Sequence, residues 1–137
     1  MIQEVVNLYR RYPKYDNISD ADLRLYLMPS MKLKQCKIHY DNMEVVGFTN
    51  WAFLSDEVAK RFIKEGYLNP NEWVCGNNIW HIETICKSNL KDMMKWTKRY
   101  FAEIYGVGKP INWLRVDNDS KIRNIVKIHT RESWLNG

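Results

Sequence analysis

The residues of this chain best placed to do chemistry are His81 and Glu83, two positions apart in the run that begins Trp73-Val74-Cys75-Gly76 and ends Glu83-Thr84-Ile85. Apolar and polar residues alternate there as in a strand, which sets Trp80, Ile82 and Thr84 on one side and Ile79, His81, Glu83 and Ile85 on the other. A strand with large apolar groups on both faces belongs in the middle of a sheet, covered on both sides. His81 and Glu83 are then expected to point the same way, into a place poor in water. Desolvation raises the proton affinity of a carboxylate and so suits it to general-base work. The structural alternative is a buried acid satisfied by neighbouring donors.

The elements that must position this pair can be read along the chain. Ile2, Val5, Tyr9 and Tyr12 recur at helical spacing before Pro13, and Ser19 with Asp22 opens a second helix whose buried stripe is Leu23, Tyr26 and Leu27. Pro29 is expected to end that helix. Cys36, Ile38 and Tyr40 alternate with polar residues, Asp41-Asn42 signals a turn, and residues 44–54 form a more apolar strand, so the two make a hairpin. Ser55 caps a third helix that stops at Gly66. After the strand carrying Glu83, a long helix spans 90–105 and closes at Gly106. Its apolar stripe is Leu90, Met93, Thr97, Phe101 and Ile104, and Lys91, Lys95, Lys98 and Arg99 crowd the remainder. Residues 111–116 give another strand, Asn118-Asp119-Ser120 a turn, and 125–129 a last strand.

A strand–helix–strand crossover so late in the chain requires a parallel pair beside the antiparallel hairpin. The fold class is therefore α/β, a single-domain mixed sheet flanked by helices, a plan that resembles the Gcn5-related acyltransferase type. Trp51, Trp73 and Trp80 are expected to be buried near one another in its core.

Composition narrows the function classes. The 137 residues, 45% of them apolar and six of them Trp, make about one folded domain with one core. Lys and Arg number 21 against 16 Asp and Glu, and a net charge of +5 suits an acidic partner such as a carrier protein, an anionic cofactor or nucleic acid. Nothing beyond net charge points to nucleic acid. Cys36, Cys75 and Cys86 are odd in number and lack the CxxC spacing, so neither a disulfide framework nor a structural zinc site is suggested. The first residues carry Glu4 and no apolar leader, and no run approaches the ~18 apolar residues of a membrane span. Reduced thiols and a cytoplasmic setting are the expectation.

Three segments then carry a family resemblance. They are Gly47-Phe48-Thr49-Asn50-Trp51-Ala52-Phe53-Leu54-Ser55, the set Trp73, Gly76, Trp80, Ile82 and Glu83, and Leu114-Arg115-Val116-Asp117. In this order and at nearly this spacing they resemble segments of the RTX toxin-activating lysine acyltransferases, over roughly residues 15–129. The resemblance implies a Gcn5-related fold, a tendency to dimerise, and transfer of a fatty acyl group from acyl carrier protein to a lysine of a target protein. The thioester on the carrier's phosphopantetheine would be the donor substrate, with no permanently bound cofactor and no metal.

It also assigns residues. The family's essential Asp falls at Glu83, and its essential His falls at Tyr15, counted back from Leu27-Met28-Pro29-Ser30-Met31. Tyr titrates near 10 where His titrates near 6.5, so the acid–base pair is altered. Lys87, Ser88 and Asn89, where the family keeps a different segment after the strand, and Arg115 on the next strand are the residues implied for holding the donor. Glu83 would take the amine proton and Tyr15 would protonate the departing thiolate. The opening between the two strands would receive the pantetheine arm. No glycine-rich pyrophosphate loop precedes the long helix, which favours a carrier protein over free acyl-CoA. The competing reading is a non-catalytic relative, a binding or structural module such as a phage or virion accessory protein.

Overall fold

The computed structural model describes residues 2–116 and 123–136. Among them, α1 (Ile2–Tyr9) buries Val5, Val6, Leu8 and Tyr9, and a 3₁₀ turn at Pro13–Tyr15 leads towards α2 (Asp20–Lys32). The Ser19 hydroxyl accepts the Asp22 N–H at 3.1 Å, as its spacing predicts. Pro29 does not stop α2 but lies inside it. A proline there removes only the bond to the carbonyl of Leu25, a residue 68% exposed, where water can serve that oxygen instead. α3 (Asp56–Glu65) starts at the Ser55 cap and ends at Gly66, whose φ of 78° only glycine adopts at ease. α4 runs over Leu90–Tyr105, the span its periodicity predicts. Met93, Thr97 and Phe101 are buried, whereas Leu90 and Ile104 stay open to solvent because the ends of the stripe overhang the sheet.

The sheet has the order β1 (Cys36–Asp41), β2 (Glu44–Leu54), β3 (Asn78–Cys86), β4 (Pro110–Val116) and β5 (Arg123–His129). β1 and β2 form the expected hairpin, turning through Asn42 and Met43, both with positive φ. β3 pairs antiparallel with β2 and parallel with β4, and α4 is the crossover between them. β4 and β5 pair antiparallel along their whole length. The expected turn at Asn118-Asp119-Ser120 lies outside the described residues.

The parallel pair is short. Only Ile79 with Ile111 and Trp80 with Asn112 are in register, and beyond them β3 and β4 part. α1, α2 and α3 cover one face of the sheet, with Tyr9, Leu23, Leu27, Phe48 and Ile85 in one cluster and Trp73, Trp80, Leu54 and Phe62 in a second. α4 covers the other face, where Trp51 packs on Phe101 and Ile111. All three tryptophans are buried, but Trp51 is separated from Trp73 and Trp80 by the sheet. Side chains of β2 alternate, so Trp51 points away from the face that Ala52 and Leu54 share with Trp80.

Candidate active site

A one-residue irregularity in β3 determines where Glu83 points. Asn50 of β2 sits opposite Glu83, yet the next residue, Trp51, sits opposite His81, so Ile82 has no partner. Such a β-bulge puts two successive side chains on one side of the sheet. Ile82 and Glu83 consequently both face α1–α3, in line with Trp80 before them and Ile85 after. His81 faces α4, where its ring lies 6.4 Å from that of Phe101. The shared direction expected for His81 and Glu83 from simple alternation is therefore overturned by the bulge.

His81 is buried in a polar chain of its own. Its Nε2 lies 2.6 Å from the Thr84 hydroxyl, which lies 3.4 Å from Thr49, itself 3.5 Å from Nε2 of His39. Burial pushes the His81 imidazole down to about 4, so it is neutral over the physiological range. Its ring reaches the backbone of Glu83 but is no partner for the carboxylate.

Tyrosines take that role. The Tyr9 hydroxyl donates to Glu83 Oε2 at 2.9 Å, the Tyr26 hydroxyl donates to the same oxygen at 3.3 Å, and the Tyr15 hydroxyl donates to Oε1. Tyr9 and Tyr15 also meet edge to face, their centroids 4.9 Å apart. Burial pushes the carboxyl of Glu83 upward, while the three hydroxyl donors and the charge of Lys14 pull it back. The phenols move the other way from acidity. Burial and the neighbouring carboxylate hold Tyr9, Tyr15 and Tyr26 above their ordinary value. The site thus contains one carboxylate and three neutral phenols that can pass a proton without becoming phenolates.

The segment bringing Tyr15 over Glu83 is tied down from two directions. Arg10 donates from Nη1 to the carbonyl of Tyr15 at 2.9 Å and from Nη2 to that of Ile18 at 2.6 Å, and it also bonds Asp20. The Tyr12 hydroxyl donates to the carbonyl of Cys86 at 3.0 Å and accepts its N–H at 2.9 Å. The last residue of β3 pairs with Gly47 of β2 on one side and is held by the Tyr12 side chain, where β4 does not reach, on the other.

A cleft of about 410 Å³ lies over this group. Lys14, Tyr15, Glu83 and Thr84 are among its polar lining, and Phe62, Ile82 and Leu114 are among its apolar walls. Ile82 on β3 and Leu114 on β4 fall in the stretches where the two strands have separated, so the cleft occupies the opening that the parting creates.

The remaining residues implied for the donor stand elsewhere. Lys87 pairs with Glu44 and lines a different cleft, between α1 and β2. Ser88 is exposed, and Asn89, with a φ of 65°, precedes α4. Arg115 is exposed on β4 past its pairing with β3. The structure brings Glu83 and Tyr15 together and leaves these four outside the cleft lining. Sequence reasoning assigned Tyr9, Tyr12 and Tyr26 to helix stripes and missed them as partners of the site. A signal existed: Tyr9 and Tyr26 sit where helices ordinarily put Leu or Val, and a buried Tyr hydroxyl needs a partner.

A mixed five-stranded sheet with a parting parallel pair, and helices on both faces, defines a GNAT-like fold. Among solved structures, the GNAT-like decarboxylase GphF in complex with isobutyryl-CoA superimposes with a TM-score of 0.55 at 13% identity. The match covers 85% of this chain and 63% of that one, so the chain spans less than two thirds of that protein's length. No curated protein matches the chain by sequence. The model of the RTX toxin acyltransferase family, HlyC, matches residues 1–130, and the chain belongs to that family.

Proposed function

We propose that the protein transfers an acyl group from a thioester to an amine, with Glu83 as the base and Tyr15 as the group that returns the proton. The observation carrying this reading is the placement of the Glu83 carboxylate, held by three phenol hydroxyls, at the cleft where β3 and β4 part. The amine loses a proton to Glu83 and attacks the thioester carbonyl carbon. The C–N bond forms and the C–S bond breaks. The departing thiolate takes the hydroxyl proton of Tyr15, which regains one from Glu83, and the second proton of the original ammonium passes to water. Tyr15 is neutral before and after, in keeping with a phenol whose burial disfavours its charged form.

The donor in this reading is the phosphopantetheine thioester of an acyl carrier protein, and the acceptor is a lysine of a protein. Family membership supports both, and the basic residues of α4 supply charge that an acidic carrier would complement. Lys87, Ser88 and Asn89 follow β3 and Arg115 lies on β4, so they stand at the ends of the two diverging strands and are the proposed contacts for the donor's phosphate. Incubation with acyl-loaded carrier protein and lysine peptides, read by mass spectrometry, tests the reading. Acylated peptide is expected with the wild type and not with Glu83→Gln. A wild type inert with carrier-bound and soluble thioesters alike would leave Glu83 a structural acid in a non-catalytic relative.

A further inference from the structure

One amine already stands at the edge of the cleft, on an exposed side chain. Lys14 belongs to the 3₁₀ turn that also carries Tyr15, and it lines the same cleft as Glu83. Its Nζ lies 5.0 Å from the centroid of the Tyr15 ring, whose hydroxyl is bonded to the Glu83 carboxylate. No Asp or Glu among the described residues forms an ion pair with it. The Arg10 and Tyr12 bonds described above fix the backbone on which it rides. A long flexible side chain on a fixed backbone reaches a limited volume, and here that volume borders the cleft that Glu83 also lines, near enough for the Lys14 charge to act on the Glu83 carboxyl.

We propose that Lys14 is itself an acyl acceptor, so that the protein acylates its own cleft. The inference rests on the acyl-transfer reading and uses the same groups. The Lys14 ammonium gives a proton to Glu83, its nitrogen forms the amide with the thioester carbonyl carbon, and the C–S bond breaks. The thiolate takes the proton that Tyr15 passes from Glu83, and the remaining proton goes to water. Nothing else is consumed. General-base assistance contributes roughly 10²–10⁴-fold. Lys14 is therefore expected to react about 10²-fold faster than Lys91 or Lys95, which lie exposed on α4 across the sheet from Glu83.

The test incubates the full chain with lauroyl-loaded acyl carrier protein, and separately with lauroyl-N-acetylcysteamine, with and without a lysine peptide. Intact mass and tryptic mapping follow acylation at each lysine. The expected result is one acyl group on Lys14 in the absence of peptide, lost in Lys14→Arg. It should fall about 10²-fold or more in Glu83→Gln, with thermal unfolding confirming that this variant folds. Tyr15→Phe provides a second lesion should it not. Peptide acylation by the wild type with Lys14 unmodified would overturn this inference and leave the acyl-transfer reading standing. Acyl groups spread over Lys91, Lys95 and Lys14 alike, and indifferent to Glu83, would overturn it as ordinary surface chemistry. No transfer to peptide or protein from either thioester would refute the acyl-transfer reading, and the inference with it.

Discussion

Replacing Tyr9 by Phe removes one hydroxyl and should retune the base. Tyr9 is fully buried, and its hydroxyl donates to Glu83 Oε2 at 2.9 Å, so the lost bond is a buried one to a charged acceptor. Such bonds contribute about 1.5–3 kcal/mol. Donation to the ionised carboxylate favours that form, so its loss raises the Glu83 pKa. At about 1.4 kcal/mol per pK unit the rise is roughly one to two units if the whole bond is expressed in ionisation. If Glu83 must be ionised to accept the amine proton, the acidic limb of the pH–rate profile should move up by the same amount in Tyr9→Phe, with the plateau rate and the peptide KM little changed. Stability should respond with the same sign. A carboxyl whose folded pKa is raised makes the folded state less stable as pH rises through that pKa, and Tyr9→Phe should widen the loss at neutral and higher pH. The assays are a pH–rate profile and denaturant unfolding at several pH values. An unmoved acidic limb, together with a stability loss equal at every pH, would mean that the Tyr9 hydroxyl does not act on Glu83.

His81 should make the fold sensitive to acid. Its folded pKa is down at about 4 against 6.5 for an ordinary histidine, so its contribution is intact above 6.5 and lost as pH falls towards 4. The difference in unfolding free energy between wild type and His81→Gln should change by roughly 3 kcal/mol across that window, and a flat difference would show that His81 is not held neutral. Carrier binding should weaken steeply with salt because exposed charges are screened within about 10 Å at 0.1 M. Lys91→Glu with Lys95→Glu should abolish it, whereas salt-independent binding would place the carrier on another surface.

Much of the frame was legible because its signals are local. Ser19 and Ser55 cap helices through bonds to residues three positions on, and Gly66 supplies the left-handed stop. The periodicity of Met93, Thr97 and Phe101, closed by Gly106, marked out α4, and the crossover rule gave the parallel pair. Pro29 was misread because its effect depends on whether the carbonyl it strands can reach water. The bulge at Ile82 was illegible for a stronger reason. Which residue loses its partner is a property of two strands far apart in sequence, and one extra residue reverses every later side chain. That single irregularity separates Glu83 from His81 and turns it towards the tyrosines. Glu83 and Tyr15 were matched to family positions by sequence, whereas Tyr9 and Tyr26 looked like core because their apolar rings satisfy helix periodicity as well as Leu does.

The central claim is that the carboxylate under the three phenols removes a proton from an acceptor amine during acyl transfer. The most direct measurement is single-turnover transfer from acyl-loaded carrier protein to a lysine peptide, comparing wild type, Glu83→Asp and Glu83→Gln. Loss of a general base costs roughly 10²–10⁴-fold. The account predicts a fall of that size in Glu83→Gln, with part of the rate kept in Glu83→Asp, whose carboxylate sits one methylene further back. Equal rates in folded wild-type and Glu83→Gln proteins would contradict it.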